Sequence, residues 1–311
     1  MWRRLNWQFP AALEILLALA LGAAGLWGAA TGHQFIRQYL YFLAWYPYIL
    51  LVDGVLCLLQ GRSWLWHRSR DFFSMCFWSV TVWLVFEAVN LILRNWGYVG
   101  LTPSRGVRWG GYVLAFATVL PGVLLTAQLF WALGAWQGVR GRPLRWGFPW
   151  QPVSLLVGVA ALALPLAWPR YAFPLVWLAF LFLLDPCCEL LGGGSLLARF
   201  LAGERRESLC LLSAGGLCGL WWESWNALAS AKWVYTLPVL NYWKIFEMPL
   251  LGYLGFLPFA LECAVMYNFL KALEERVLTT PRRRRRAYLI QGAFWLLMFA
   301  ALDAWTVISY Q

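Results

Sequence analysis

Apolar stretches about as long as a bilayer is thick recur along this chain, separated by short polar segments. A membrane-crossing helix needs about 20 consecutive apolar residues, and nine runs qualify, at approximately 10–30, 39–59, 72–93, 110–136, 152–168, 172–192, 208–230, 245–270 and 288–309. The pattern predicts an all-α polytopic membrane protein of about nine helices. Polar residues interrupt the runs in an order that occurs twice: Glu87, Asn90, Trp96, Tyr98 and Pro103 recur as Glu223, Asn226, Trp233, Tyr235 and Pro238. The first four pairs are displaced by 136, 136, 137 and 137 positions, so a single inserted residue accounts for the drift. Trp7-Gln8-Phe9-Pro10 is answered by Trp146-Gly147-Phe148-Pro149, and Asp53 before Gly61 and Ser63 by Asp185 before Gly193 and Ser195. A fixed period of this length marks a duplicated structural unit. The expected organisation is two parallel four-helix repeats, over 7–136 and 146–272, and a separate C-terminal helix within 287–311.

Composition agrees with that outline. With 62% hydrophobic and 13% charged residues and a mean hydropathy of +0.61, the chain has too little polar surface to cover a soluble globule. Its net charge of +11 raises the possibility of a nucleic-acid partner. The distribution of that charge argues against one: if the N-terminus is cytoplasmic, 18 of the 25 Lys and Arg residues fall on the cytoplasmic side, from Arg3 and Arg4 to Arg282–Arg286. That is the positive-inside bias of a membrane protein. Nine spans then place the C-terminus outside a bacterial-type cytoplasmic membrane, and four helices per unit give both repeats the same orientation. The run Arg282–Arg286 orients the last helix or binds anionic headgroups. The first apolar run is too long for a signal-peptide core and lacks a clear cleavage site, so it reads as the first span.

Seven cysteines fall in or beside the spans without a CxxC pattern and read as small packing residues. Two histidines, His33 and His67, are too few for a helix-borne haem or histidine-rich metal site, and no metal or cofactor is expected. The Gly192-Gly193-Gly194 run lacks the Lys and the strand context of a phosphate loop. Carboxylates inside apolar segments are costly and are therefore functional candidates. Glu87 with Asn90, and Glu223 with Asn226, each share a helix face at a spacing of three, near the outer membrane surface on this topology. Glu247 is expected to open the eighth helix at the same depth, with Trp96, Tyr98, Trp233, Tyr235, Asn241, Tyr242 and Trp243 in the adjoining loops. Together they suggest an aromatic vestibule, with Trp222 and Trp225 in its wall. Asp53, Asp185, Glu189 and Glu262 lie nearer the inner surface. Desolvation disfavours a charged carboxyl, so each acid is a candidate proton donor, with the amide one turn away to orient it. The alternative is that each Glu–Asn pair is neutral, hydrogen-bonded glue between helices. The catalytic candidates are Glu223, Glu247, Glu87, Asn226 and Asn90; the substrate-binding candidates are Trp222, Trp225, Trp233, Tyr235, Asp185 and Glu262.

The stretch Glu223-x-x-Asn226, Trp233-Val234-Tyr235 and Glu247-Met248-Pro249-Leu250-Leu251-Gly252 resembles the integral-membrane carotenoid-modifying enzymes, the lycopene cyclase domain family and related carotenoid hydratases. The resemblance is clearest over residues 223–262 and fainter in the first half. It implies repeated helical units, a lipophilic isoprenoid substrate and acid–base chemistry without a metal. A neutral Glu223 or Glu247 would protonate a terminal double bond, and the cation would lie against tryptophan faces before losing a proton or capturing water. The departure from that family is that its cyclases carry two adjacent acids just after the proline, whereas here a single Glu247 precedes Pro249. This leaves cyclase, hydratase and isomerase chemistry open. Two other classes stand beside it: a proton- or cation-coupled transporter using Asp53, Glu87, Asp185, Glu223 and Asp303, and a non-catalytic membrane assembly subunit.

Overall fold

The computed structural model describes residues 2–144, 147–239 and 241–311, with side chains from Trp7 onward. Arg145 and Trp146, and the side chains of Arg3 and Arg4, lie outside the described residues. The long helices are α1 (Trp2–Ala30), α2 (Leu40–Gln60), α3 (Ser69–Leu93), α4 (Arg105–Phe116), α5 (Val119–Ala132), α6 (Trp150–Ala167), α7 (Val176–Leu190), α8 (Arg206–Leu228), α9 (Tyr253–Arg276) and α10 (Pro281–Trp305). Among the described residues, eight helical segments are long and apolar enough to cross a membrane, with α4 and α5 together forming one of them. Exposed leucines on α1, α6 and α10, such as Leu16, Leu156 and Leu297, give the bundle an apolar outer surface. This is the architecture of an integral membrane protein.

The expected helix at 208–230 is present as α8, but it is not among the eight apolar segments. Its Gly, Ser and Trp residues, with Glu223 and Asn226, lower its mean hydropathy. A helix that packs between α5 and α9 does not need an apolar outer face. Gly215 and Gly219 on α8 let α9 approach closely, since a Cβ on Gly215 would lie 2.2 Å from the Phe256 carbonyl oxygen.

The run expected as one helix at 110–136 is broken at Ala117 and Thr118. The cause is Ser79 on α3, which inserts into the hydrogen-bond ladder. Its Oγ donates to the Phe116 carbonyl and accepts from Leu120 N at 2.9 Å, taking over the bond those two groups would have shared. Downstream, α9 begins at Tyr253, later than the expected 245. Residues 244–249 instead form a small hairpin, and Glu247 sits in its turn, not at a helix start. Conversely α10 starts at Pro281, ahead of the expected 288, because Thr280 caps it and proline suits the first helical position. The arginine run therefore forms its first turns.

Two segments expected as loops are strands. β1 (Trp96–Val99) pairs antiparallel with β2 (Lys232–Tyr235), with Trp96 opposite Tyr235 and Tyr98 opposite Trp233. The C-terminal residues join the free edge of β1: Tyr98 N donates to Thr306 O at 2.8 Å and Ile308 N to Tyr98 O at 2.7 Å. Gly97 makes this possible, because a Cβ there would lie 2.7 Å from Ile308 Cδ1. The ribbon closes one end of the bundle, where Gln38 Nε2 also donates to Gly100 O at 3.0 Å.

Candidate functional site

The helix ends beneath the ribbon are built alike. On α3, Asn90 holds β1: its Oδ1 accepts from Asn95 N at 2.9 Å and Trp96 N at 3.3 Å, and its Nδ2 donates to Trp96 O at 2.9 Å. On α8, Asn226 holds β2 through Trp233 N and O, at 3.0 and 2.9 Å. Strand residues two apart share a face, so each strand turns a Trp and a Tyr toward the acid one helical turn before the amide. Glu87 Oε1 accepts from Trp83 Nε1 at 2.9 Å, Trp96 Nε1 at 3.1 Å and the Tyr98 hydroxyl. Glu223 Oε1 accepts from the Tyr235 hydroxyl at 2.7 Å and Trp233 Nε1 at 3.4 Å. The Asn90 carboxamide also faces Glu87, and Met248 N faces Glu223. Both carboxyls are fully buried.

A cavity of about 220 Å³ runs under the ribbon. Trp83, Trp96, Tyr98, Trp222, Trp233 and Tyr235 are among its lining residues, together with Trp177 and Phe259 from the second half of the chain. Glu87 and Glu223 stand behind this wall and reach the cavity through their tyrosines and tryptophans. Burial, then the adjacent carboxylate, pushes the Tyr98 and Tyr235 hydroxyls well above the usual tyrosine range, so both stay protonated. The arrangement presents two hydroxyls, each backed by a carboxyl, in an aromatic chamber. It can carry a proton between a buried acid and a lipophilic guest.

The remaining candidates lie elsewhere. Glu247 pairs with Lys232 at 2.6 Å, both about a quarter exposed, at the rim in the turn of the small hairpin. Trp225 packs between Trp221 and Trp45, away from the cavity. Asp185 accepts from Ser195 Oγ, from Leu196 N at 2.8 Å and from Leu197 N at 3.1 Å. Asp53 makes the matching set with Ser63, Trp64 and Leu65. These aspartates fasten the short helices Trp64–His67 and Leu196–Leu201. Glu262, mid-bundle on α9, accepts from Phe180 N at 2.7 Å and does not line the cavity.

Three further residues take part in the site or its frame. Trp83 donates to Glu87 from one turn earlier on α3, a spacing of four that the sequence displays. Arg108 makes a two-pronged pair with Asp303 at 2.7 and 2.6 Å, joined by Trp109 and Tyr112, and locks α10 against α4 beside the cavity. A sequence separation of 195 hides this pair from sequence reading. Asn95, one of the two residues between α3 and β1, lines the cavity. Among the described residues, no group of three or more His, Cys, Asp or Glu side chains converges as metal ligands would. No protein-family model, curated protein or solved structure matches the chain.

Proposed function

We propose that the protein is an integral-membrane enzyme that modifies a lipophilic isoprenoid by proton transfer from and to two of its buried glutamates, Glu223 and Glu87. The observation that carries this reading is the paired Tyr–Glu contact, Tyr235 on Glu223 and Tyr98 on Glu87, with both tyrosines lining one aromatic cavity. In the reaction, the Tyr235 hydroxyl gives its proton to a trisubstituted double bond as Glu223 gives its own to Tyr235. The tertiary cation formed lies against tryptophan faces, which stabilise positive charge through their quadrupoles. It then loses a proton through Tyr98 to Glu87, giving a ring or a shifted double bond, or it captures water and gives an alcohol and a released proton. Glu223, with two side-chain donors on its oxygen, serves as the acid; Glu87, with three, serves as the base.

The resemblance to carotenoid-modifying enzymes supports the substrate class. The matched bonding of Asp53 and Asp185, of Asn90 and Asn226, and of the two Tyr–Glu pairs supports a molecule of two four-helix repeats plus α10. We place it in a cytoplasmic membrane with the ribbon outside and the arginine-rich loops inside. The transporter reading finds less support, because Asp53, Asp185 and Asp303 spend their oxygens on fixed neighbours. Expression in a bacterial host that accumulates lycopene tests the proposal. Wild type is expected to yield a new pigment of equal mass or one water heavier, and Glu223→Gln to yield none. Unchanged pigment with the wild-type protein confirmed in the membrane contradicts it.

A further inference from the structure

One side of the cavity wall is thin. Val107 is the most exposed of the lining residues, at 50%. It heads a stripe on α4: Val107, Gly111 and Ala115, at a spacing of four and so on one helix face, all line the cavity. Across from them, at the start of α2, stand Tyr39 and Phe42, which line it too. Two hydrogen bonds frame the gap between these walls. At the ribbon end Gln38 Nε2 donates to Gly100 O at 3.0 Å, and deeper in the bundle the Tyr46 hydroxyl donates to Leu114 O at 3.0 Å. From Val107 to Leu114 the helix rises about 10 Å, which sets the height of the window. Little fills it. A Cβ on Gly111 would meet only Phe42 Cζ within 4 Å, at 3.9 Å. The Phe42 ring leans on the rings of Tyr39 and Tyr41, with centroids 6.3 and 6.1 Å away, and is held there by dispersion alone. The flank outside the window is bare: Gly106, Gly110 and Leu114 are exposed, and a Cβ on either glycine would meet nothing within 4 Å. Both walls belong to segments long and apolar enough to cross a membrane, Leu40–Gln60 and Arg105–Ala132.

We propose that this window opens sideways onto lipid tails, that one end of a lipophilic chain enters the cavity through it, and that Phe42 is the ring that swings aside. This rests on the cavity being the substrate site and says how the substrate lies in it. Proton transfer at a chain end needs only that end beneath the ribbon, and the rest of the chain stays among the lipid tails. A hydrocarbon then reaches the acids by diffusion within the bilayer, without exposing its apolar surface to water.

The test uses the full chain in phosphatidylcholine vesicles, with diphenylhexatriene, an achiral hydrocarbon polyene, as the probe. Its absorption band acquires circular dichroism when a chiral cavity holds it, whereas probe dissolved in the bilayer is silent, so growth of the signal measures entry. Gly111→Leu fills the window beside Phe42, and leucine suits a helix better than glycine, so α4 is not weakened. It is expected to slow entry at least ~10-fold, within the range over which on-rates vary among variants of one site. Phe42→Ala should speed entry, and the double variant should return close to the wild-type rate, because one change removes the bulk that the other adds. A signal that grows at the wild-type rate in both single variants overturns the inference and leaves the cavity reading intact. So does slowing in both single variants without recovery in the double variant. No signal from wild type defeats the inference together with the substrate-site reading it rests on.

Discussion

The two buried acids beneath the ribbon are defined by what donates to them. Tyr235 and Trp233 fix one oxygen of Glu223 at 2.7 and 3.4 Å, whereas Glu247 sits at the rim on Lys232. Glu223→Gln and Tyr235→Phe should each lower product formation by about 10²–10⁴, the usual contribution of a positioned proton donor. Glu247→Gln, losing only a partly exposed ion pair, should stay within ~10-fold of wild type. Product yield per milligram of membrane protein distinguishes the two positions. Asp185 holds structure together instead. Asp185→Ala strands Ser195 and two backbone N–H groups, and should cost about 2–4 kcal/mol of stability in detergent unfolding. The tyrosines set a pH limit. Their proton is held more tightly folded than unfolded, so the stability this gives is complete below the ordinary value of 10 and is lost as pH rises above it. Ultraviolet difference absorbance should show tyrosines that fail to ionise until the protein unfolds, one fewer of them in Tyr98→Phe and in Tyr235→Phe than in wild type. The repeated Glu, Asn, Trp and Tyr are legible in the sequence as a set because they share one order and, but for a single inserted residue, one spacing in both halves. That the glutamates lie behind the cavity wall is not, because strand pairing, not spacing, turns the aromatic rings inward.

At the scale of elements, short polar contacts decide where helices stop and strands attach. Gly97→Val would drive a side chain into Ile308 and the Thr306 carbonyl, detaching the C-terminal segment from β1. Hydrogen exchange at the Tyr98 and Ile308 amides should accelerate at least ~10-fold, since both bond across that seam. Unchanged protection would show that the ribbon is held from β2 alone. Hydrophobic runs locate the helices well because apolar length is a local property. They miss the break between α4 and α5, since its cause, Ser79, lies some forty residues upstream on another helix. They also miss the ribbon. Trp96-Gly97-Tyr98-Val99 is too short to show an alternating pattern, and its partner lies in the other half of the chain.

On the scale of the whole molecule, equivalent residues from both halves meet at one ribbon over one cavity, an arrangement suited to giving the acid and the base equivalent places on either side of a substrate. The orientation proposed for it is testable with alkaline phosphatase fusions: a junction after Ser104 should be active and one after Arg140 inactive, and the reverse pattern would invert the topology. The central claim is that a proton passes from solvent, through a buried glutamate and its tyrosine, to a carbon of the substrate. Its most direct test is turnover of the purified protein in nanodiscs in deuterated water, with the product examined by mass spectrometry. One deuteron bound to carbon is predicted in each product molecule from wild type, and no labelled product from Glu223→Gln. A product formed without deuterium on carbon, or equal labelling by the Gln variant, would contradict it.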